Sequence, residues 1–228
     1  MPLLNRQLPP TPPLNPDDWR PQRFGHGRRP TRDAIIEPSW GGVRVLARFD
    51  GTSTRLIDED GEDCTVEFSG VADAITGAAR AGELILDGFL SVEPTQIATK
   101  SFGRRNDAPT AGQMVTQLFV GNRLARMAPP KPHLDPDRPI AFVAVDLLSI
   151  DESRLLDVPL LERKRLLDSA LEQGELVRIT PFIRPPLGSF VATWRSAGFG
   201  GLAFKGPNSH YLPDSRNDDW LLMPMPPR

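Results

Sequence analysis

The stretch Val43–Phe49 constrains this chain more than any other. Val43, Val45, Ala47 and Phe49 alternate with Arg44, Leu46 and Arg48, which is the two-residue period of a strand. Asp50-Gly51 follows, a pair suited to a tight hairpin, and Thr54–Ile57 reads as the returning strand. A hairpin of this kind commits the chain to an antiparallel sheet. A second turn at Asp60-Gly61 leads into Cys64–Phe68, and a third, Asp87-Gly88, reads as a turn between strands Glu83–Leu86 and Phe89–Val92.

Helical signals are interspersed. Val71–Ala81 reads as a helix stopped by Gly82, and 93–112 as a polar loop before a helix over Gln113–Met127. The run Pro129-Pro130-Lys131-Pro132 breaks the chain, and Ile140–Leu148 is a continuous apolar strand. Pro159–Gln173 is an amphipathic helix with leucines at 160, 161, 166, 167 and 171 and a Gly174 stop. Leu176–Ile179, Leu202–Lys205 and Trp220–Met223 read as strands, and Phe190–Ala197 as a short helix ended by Gly198. Hairpins mixed with isolated helices predict an α+β domain rather than a wound parallel sheet.

Residues 1–33 differ in composition from 34–228. They hold eight prolines and six arginines against three aspartates. Such a segment builds no core of its own and favours extended conformations. It reads either as a solvated arm resting on the domain or as a basic arm that touches nucleic acid or a partner. Trp19 and Phe24 mark points where it docks on the domain of 34–228.

A chain of 228 residues with a net charge of -2 buries one sizeable core and is not a general polyanion binder. Its one cysteine, Cys64, excludes an internal disulfide and any cysteine-based zinc site. His26, His133 and His210 lack ligand spacing, so no metal site is expected. No apolar run reaches bilayer length and the N-terminus lacks the apolar core of a signal peptide, which predicts a cytoplasmic protein.

Several motifs in one order carry the functional reading. Glu37-Pro38-Ser39-Trp40-Gly41-Gly42-Val43-Arg44 resembles E-P-K-x-D-G-x-R, the signature of the ATP-dependent DNA ligases that holds their nucleophilic lysine. Glu59-Asp60-Gly61 resembles R-x-G, and Glu83–Phe89 resembles E-L-x-L-D-G-E. Val145-Asp146-Leu147-Leu148 followed by Pro159–Arg163 resembles F-D-L-L and P-L-x-x-R. Gly200–Lys205 resembles E-G-x-x-x-K. Tyr211, Pro213, Arg216 and Trp220 match Y-x-P-G-x-R-S-x-x-W-x-K-x-K, with Leu222 and Pro224 in its two lysine places. The resemblance spans about residues 35–224 and implies a ligase and mRNA-capping-enzyme-like nucleotidyltransferase domain, with antiparallel sheets flanked by helices. The chain ends eight residues after Trp220, so no OB-fold is expected within it.

The resemblance also implies what has been lost. Ser39 stands in the place of the nucleophilic lysine, and no histidine lies nearby in sequence to act as its base. Gly41, Phe89 and Gly200 stand where acidic groups would contact ribose and metal, and Val145 replaces the aromatic that stacks on adenine. The resemblance therefore implies a catalytically degenerate domain linked to DNA repair. No catalytic residue and no required cofactor are expected, and ATP and Mg would bind weakly or not at all. DNA or a repair protein is the expected partner. Two rivals are an enzyme that adenylates by an atypical route, with Lys205 or a partner's residue as nucleophile, and a nucleotide-binding sensor. The retained Glu37, Arg44, Asp87, Asp146, Lys205 and Arg216 either hold the fold or form a residual anion site, with Arg44, Lys205 and Arg216 converging on phosphate.

Overall fold

The computed structural model describes residues 13, 15–25, 32–92, 139–185 and 188–225; of residues 188 and 189 only the backbone is described. The polar loop 93–112, the helix Gln113–Met127, the break at Pro129–Pro132, His26 and His133 lie outside the described residues.

Eleven strands alternate with helices among the described residues: β1 (Arg23–Phe24), β2 (Ile35–Pro38), β3 (Val43–Phe49), β4 (Thr54–Asp58), β5 (Leu84–Ser91), β6 (Ala141–Ile150), β7 (Ser153–Arg154), β8 (Val177–Ile179), β9 (Gly201–Lys205), β10 (Arg216–Asn217) and β11 (Trp220–Pro224). The α-helices are α1 (Ser69–Ala78), α2 (Leu160–Ala170) and α3 (Gly188–Ser196), and Pro16–Asp18 form one turn of 3-10 helix. The larger sheet runs β4-β3-β5-β6-β7, with β8 parallel to β6. A smaller sheet runs β11-β9-β2, and β1 pairs with β10 in parallel. This is the α+β architecture of antiparallel sheets and flanking helices that the sequence predicts. Among the described residues no helix is long and apolar enough to cross a membrane.

The alternation in β3 divides two cores. Val45, Ala47 and Phe49 pack with Val71, Ala72 and Ile75 of α1 and with Leu167 of α2. Leu46 enters a second cluster with Trp19, Ile35, Leu148, Tyr211 and Trp220. The large sheet is thus covered on both faces, which is why Arg44 and Arg48 are buried despite occupying the polar phase of the strand. A third cluster joins Ile36, Trp40, Val143 and Val145 to Val191 and Trp194 of α3.

Two expectations are corrected here. Asp87-Gly88 is not a turn, because β5 runs unbroken through it with only a register shift against β6 at that point. Gly88 is required there by packing rather than by a turn: an added Cβ would overlap the Phe142 ring and crowd the Val143 carbonyl. Both long helices are also shorter than their periodicity suggests. Ala79 and Leu171, just past the ends of α1 and α2, leave the helical conformation to bridge each other. Each helix stops where its partner offers a backbone hydrogen bond, a contact with no local signature.

Candidate functional site

Ser39 lies at the junction of the two sheets. Strand β2 delivers Glu37 and Pro38, and the Ser39 amide then donates to the Gly201 carbonyl at 3.0 Å. Trp40 turns inward, its Nε1 donating to Thr180 Oγ1 at 2.8 Å and its ring meeting Phe199 edge to face at 4.8 Å. Gly42 has φ of 107°, and an added Cβ would run into the Leu90 carbonyl oxygen. The chain can pass from one sheet to the other only with glycine at this point.

Arg44 sits on β3 beside Asp87 of β5. Its Nε and Nη2 donate to Asp87 Oδ1 and Oδ2 at 3.0 and 2.7 Å, a bidentate pair, and Nη1 donates to the Gln22 carbonyl at 2.6 Å. The rings of Phe24 and Phe89 lie 5.8 and 5.7 Å from the guanidinium carbon. Burial works against the Arg44 charge, but the Asp87 carboxylate outweighs it, so the guanidinium is held above its ordinary pKa. Tyr211 completes the cluster: its hydroxyl donates to Asp87 Oδ2 at 2.8 Å and accepts from the Gln22 amide at 2.9 Å. Burial, reinforced by Asp87, pushes the phenol well above its usual value.

A second polar cluster surrounds Glu37. One carboxylate oxygen meets Lys205 Nζ at 2.8 Å, and the other meets Lys164 of α2. All three side chains are buried. Burial lowers the Lys205 pKa from its ordinary value, and Lys164 acts in the same direction, while Glu37 opposes the shift. Beside this cluster Arg163 and Asp146 form a fully buried bidentate pair at 2.9 and 2.7 Å.

The residues singled out from sequence fall into two interior clusters and one surface position. Arg44 with Asp87 belongs to the first, and Glu37 with Lys205 to the second. Arg216 is exposed on β10 and donates to the Phe24 carbonyl at 3.3 Å. Of the residues standing in lost functional places, Val145 is buried, Ser39 and Phe89 are half-buried, and Gly41, Glu59, Gly200, Leu222 and Pro224 are exposed. Val145 is buried in the Trp40 cluster, and Phe89 and Phe204 pack against it. Leu222 is 41% exposed, and Gly200 lies at the surface. Among the described residues no group of three or more His, Cys, Asp or Glu is placed to hold a metal ion.

Gln22 and Lys164 escaped the sequence reading. Lys164 had a signal: the buried stripe of α2 is Leu160, Arg163, Lys164, Leu167 and Ala170, so two cations interrupt an apolar i, i+3, i+4, i+7 pattern and demand acidic partners. Gln22 had none: its main-chain carbonyl takes Arg44, and its side-chain Oε1 accepts from the Leu212 amide at 2.6 Å and from Asn217 Nδ2 at 3.3 Å, all partners distant in sequence.

Comparison with known proteins agrees with this architecture. Residues 27–223 match the family described as ATP dependent DNA ligase domain. A DNA ligase of Natronomonas pharaonis is 27% identical over 194 residues, covering 82% of this chain and 31% of the relative. DNA ligase 1 of Korarchaeum cryptofilum is 28% identical over 222 residues, covering 96% of this chain and 37% of the relative. The chain thus spans about a third of the length of these relatives. Among solved structures, the ligase domain from M. tuberculosis LigD has the same fold, with a TM-score of 0.63 at 22% identity over 92% of this chain and 60% of that one.

Proposed function

From the premise that this chain belongs to the ATP-dependent DNA ligase domain family, we propose that it keeps the adenylation-domain fold without nucleotidyl transfer and serves as a non-catalytic binding protein for DNA or a DNA-repair protein. The observation that carries this reading is the environment of Ser39. Lysine adenylation needs an uncharged amine, an α-phosphate held in line and cationic groups to neutralise the phosphates. At this junction the chain offers a serine hydroxyl, glycines at 41 and 200, and an apolar cluster containing Trp40 and Val145, with Phe89 and Phe204 against it. That donor set does not fit a magnesium–ATP complex.

Lys205 is a poor replacement nucleophile. It is 1% exposed and held between Glu37 and the Trp220 ring. The test is incubation with ATP and magnesium or manganese, followed by intact-mass spectrometry and by gel-shift with nicked duplex DNA. No AMP adduct is expected, and a stoichiometric adduct overturns the reading.

A further inference from the structure

The N-terminal segment Asn15–Gly25 lies across the face of the molecule that carries Arg44. Trp19 anchors it, fully buried, its carbonyl accepting from Arg20 Nη1 at 2.8 Å and from Arg48 Nη2 at 3.3 Å. The Arg20 guanidinium lies against Gly61 in the turn after β4. Beyond Pro21 the chain enters β1, where Arg23 stands opposite Arg216 and Phe24 opposite Asn217, and the Gly25 amide donates to the Trp220 carbonyl at 2.8 Å.

Three contacts from this strap end on cations that the ligase motifs retain. The Gln22 carbonyl takes Arg44 Nη1, the Phe24 ring covers the Arg44 guanidinium opposite Phe89, and the Phe24 carbonyl takes Arg216 Nη1. A carbonyl oxygen aimed at a guanidinium offers what a phosphate oxygen offers, a partly negative acceptor at hydrogen-bond distance. We propose that Gln22–Phe24 is an intramolecular stand-in for phosphate. It covers an anion subsite formed by Arg44 and Arg216, which takes a phosphate group of a nucleotide or of a nucleic-acid backbone when the strap lifts.

The strap is held chiefly through Trp19 and Gln22. Trp19 is fixed in the core, and Gln22 Oε1 accepts from the Leu212 amide at 2.6 Å and from Asn217 Nδ2 at 3.3 Å, while the Arg23 amide donates to the Ser215 carbonyl at 2.9 Å. Strand β1 itself is two residues long, and the Arg23–Asp214 pair that flanks it is exposed and contributes little, so removing the Gln22 side chain is the change that loosens it. Gln22 Nε2 is buried without a hydrogen-bond partner, a desolvation cost that opposes the closed arrangement. Lifting the segment after Pro21 returns that amide to water and frees one guanidinium N–H on each of Arg44 and Arg216.

This inference rests on the binding role proposed above and fails separately from it, because an AMP adduct is a different readout. The test compares the full chain with the double variant Gln22→Ala, Phe24→Ala, which keeps Trp19. Calorimetry is run with inorganic tripolyphosphate, with ATP and with a nicked duplex. The opened variant is expected to bind tripolyphosphate roughly tenfold more tightly, the scale of one charge-assisted hydrogen bond, and to lose that gain when Arg216→Ala is added. A matching gain for ATP alone identifies a nucleotide subsite, and a gain for duplex identifies a backbone subsite. A folded variant with unchanged affinity overturns the proposal. Should the variant not fold, amide exchange on the unaltered chain decides. Millimolar tripolyphosphate is expected to speed exchange at Gln22 and Gly25, and unchanged or slower exchange at both overturns the proposal.

Discussion

Lys205 stands opposite Trp220 across the β9–β11 ladder, its ammonium 4.0 Å from the centre of the indole ring and 2.8 Å from a Glu37 carboxylate oxygen. Glu37 comes from β2 and Lys164 from α2, so one carboxylate on an edge strand of the small sheet ties its central strand, β9, to the helix layer. Two buried ammonium groups depend on this single anion.

Glu37→Gln is therefore expected to destabilise the fold by about 3–5 kcal/mol, the cost of stranding buried charge. Adding Lys205→Met should recover part of that loss, because the double variant removes one stranded cation. Urea unfolding of the two single variants and the double variant measures the coupling. Strict additivity would show that the residues do not act as a unit.

Gly42→Ala should be strongly destabilising although it adds one methyl group. The left-handed φ and the Leu90 carbonyl in the path of the Cβ both oppose it. A loss of about 1–3 kcal/mol from the backbone alone would be read as a fall in the thermal midpoint. Gly70→Ala is the control, since nothing lies within 4 Å of its added Cβ.

Ser39→Lys is expected to leave the chain without nick-sealing activity and without an AMP adduct. The change restores an amine but leaves Phe89, Gly200, Leu222 and Pro224 where acidic groups and lysines would sit. Two absent charge-assisted contacts of about 1.5–3 kcal/mol each weaken ATP binding by on the order of a hundredfold or more. Sealing of nicked duplex above background by the single variant would refute the weight given to those positions.

Tyr211 gives the chain an alkaline limit. In the folded state its phenol keeps the proton well above the ordinary value near 10, whereas the unfolded chain releases it there. The unfolded state then binds fewer protons, so stability is full below that pH and falls as pH rises through it, by about 1.4 kcal/mol per pH unit. Tyr211 is the single tyrosine, so tyrosinate absorbance follows it alone. Ionisation is expected only together with unfolding. A phenol that titrates near 10 in the folded protein would contradict the burial argument.

Local chemistry made part of this fold readable. The β3–β4 hairpin follows from alternation and Asp50-Gly51, and observed β3 matches the periodic stretch. Asp87-Gly88 misled because the same dipeptide can serve a turn or a strand. Here Asp87 is buried against Arg44 and Tyr211, partners distant in sequence. The motif residues were legible as a set, but their partners were not. Nothing in a local window tells that Glu37 holds two lysines or that the Gln22 carbonyl holds Arg44.

The pairing of β1 with β10 has a consequence for how the chain acquires its structure. The Arg23–Asp214 ion pair beside that ladder closes a separation of 191 residues. Strand β2 likewise waits for β9 before it has a sheet to join. The large hairpin sheet can form early from neighbouring segments. The small sheet and the strap form only after most of the chain has left the ribosome, and such non-local closures slow folding. Until then Ile35, Leu46 and Trp19 lack their Trp220 and Tyr211 cover. A stalled or truncated nascent chain would present this apolar surface to chaperones and proteases.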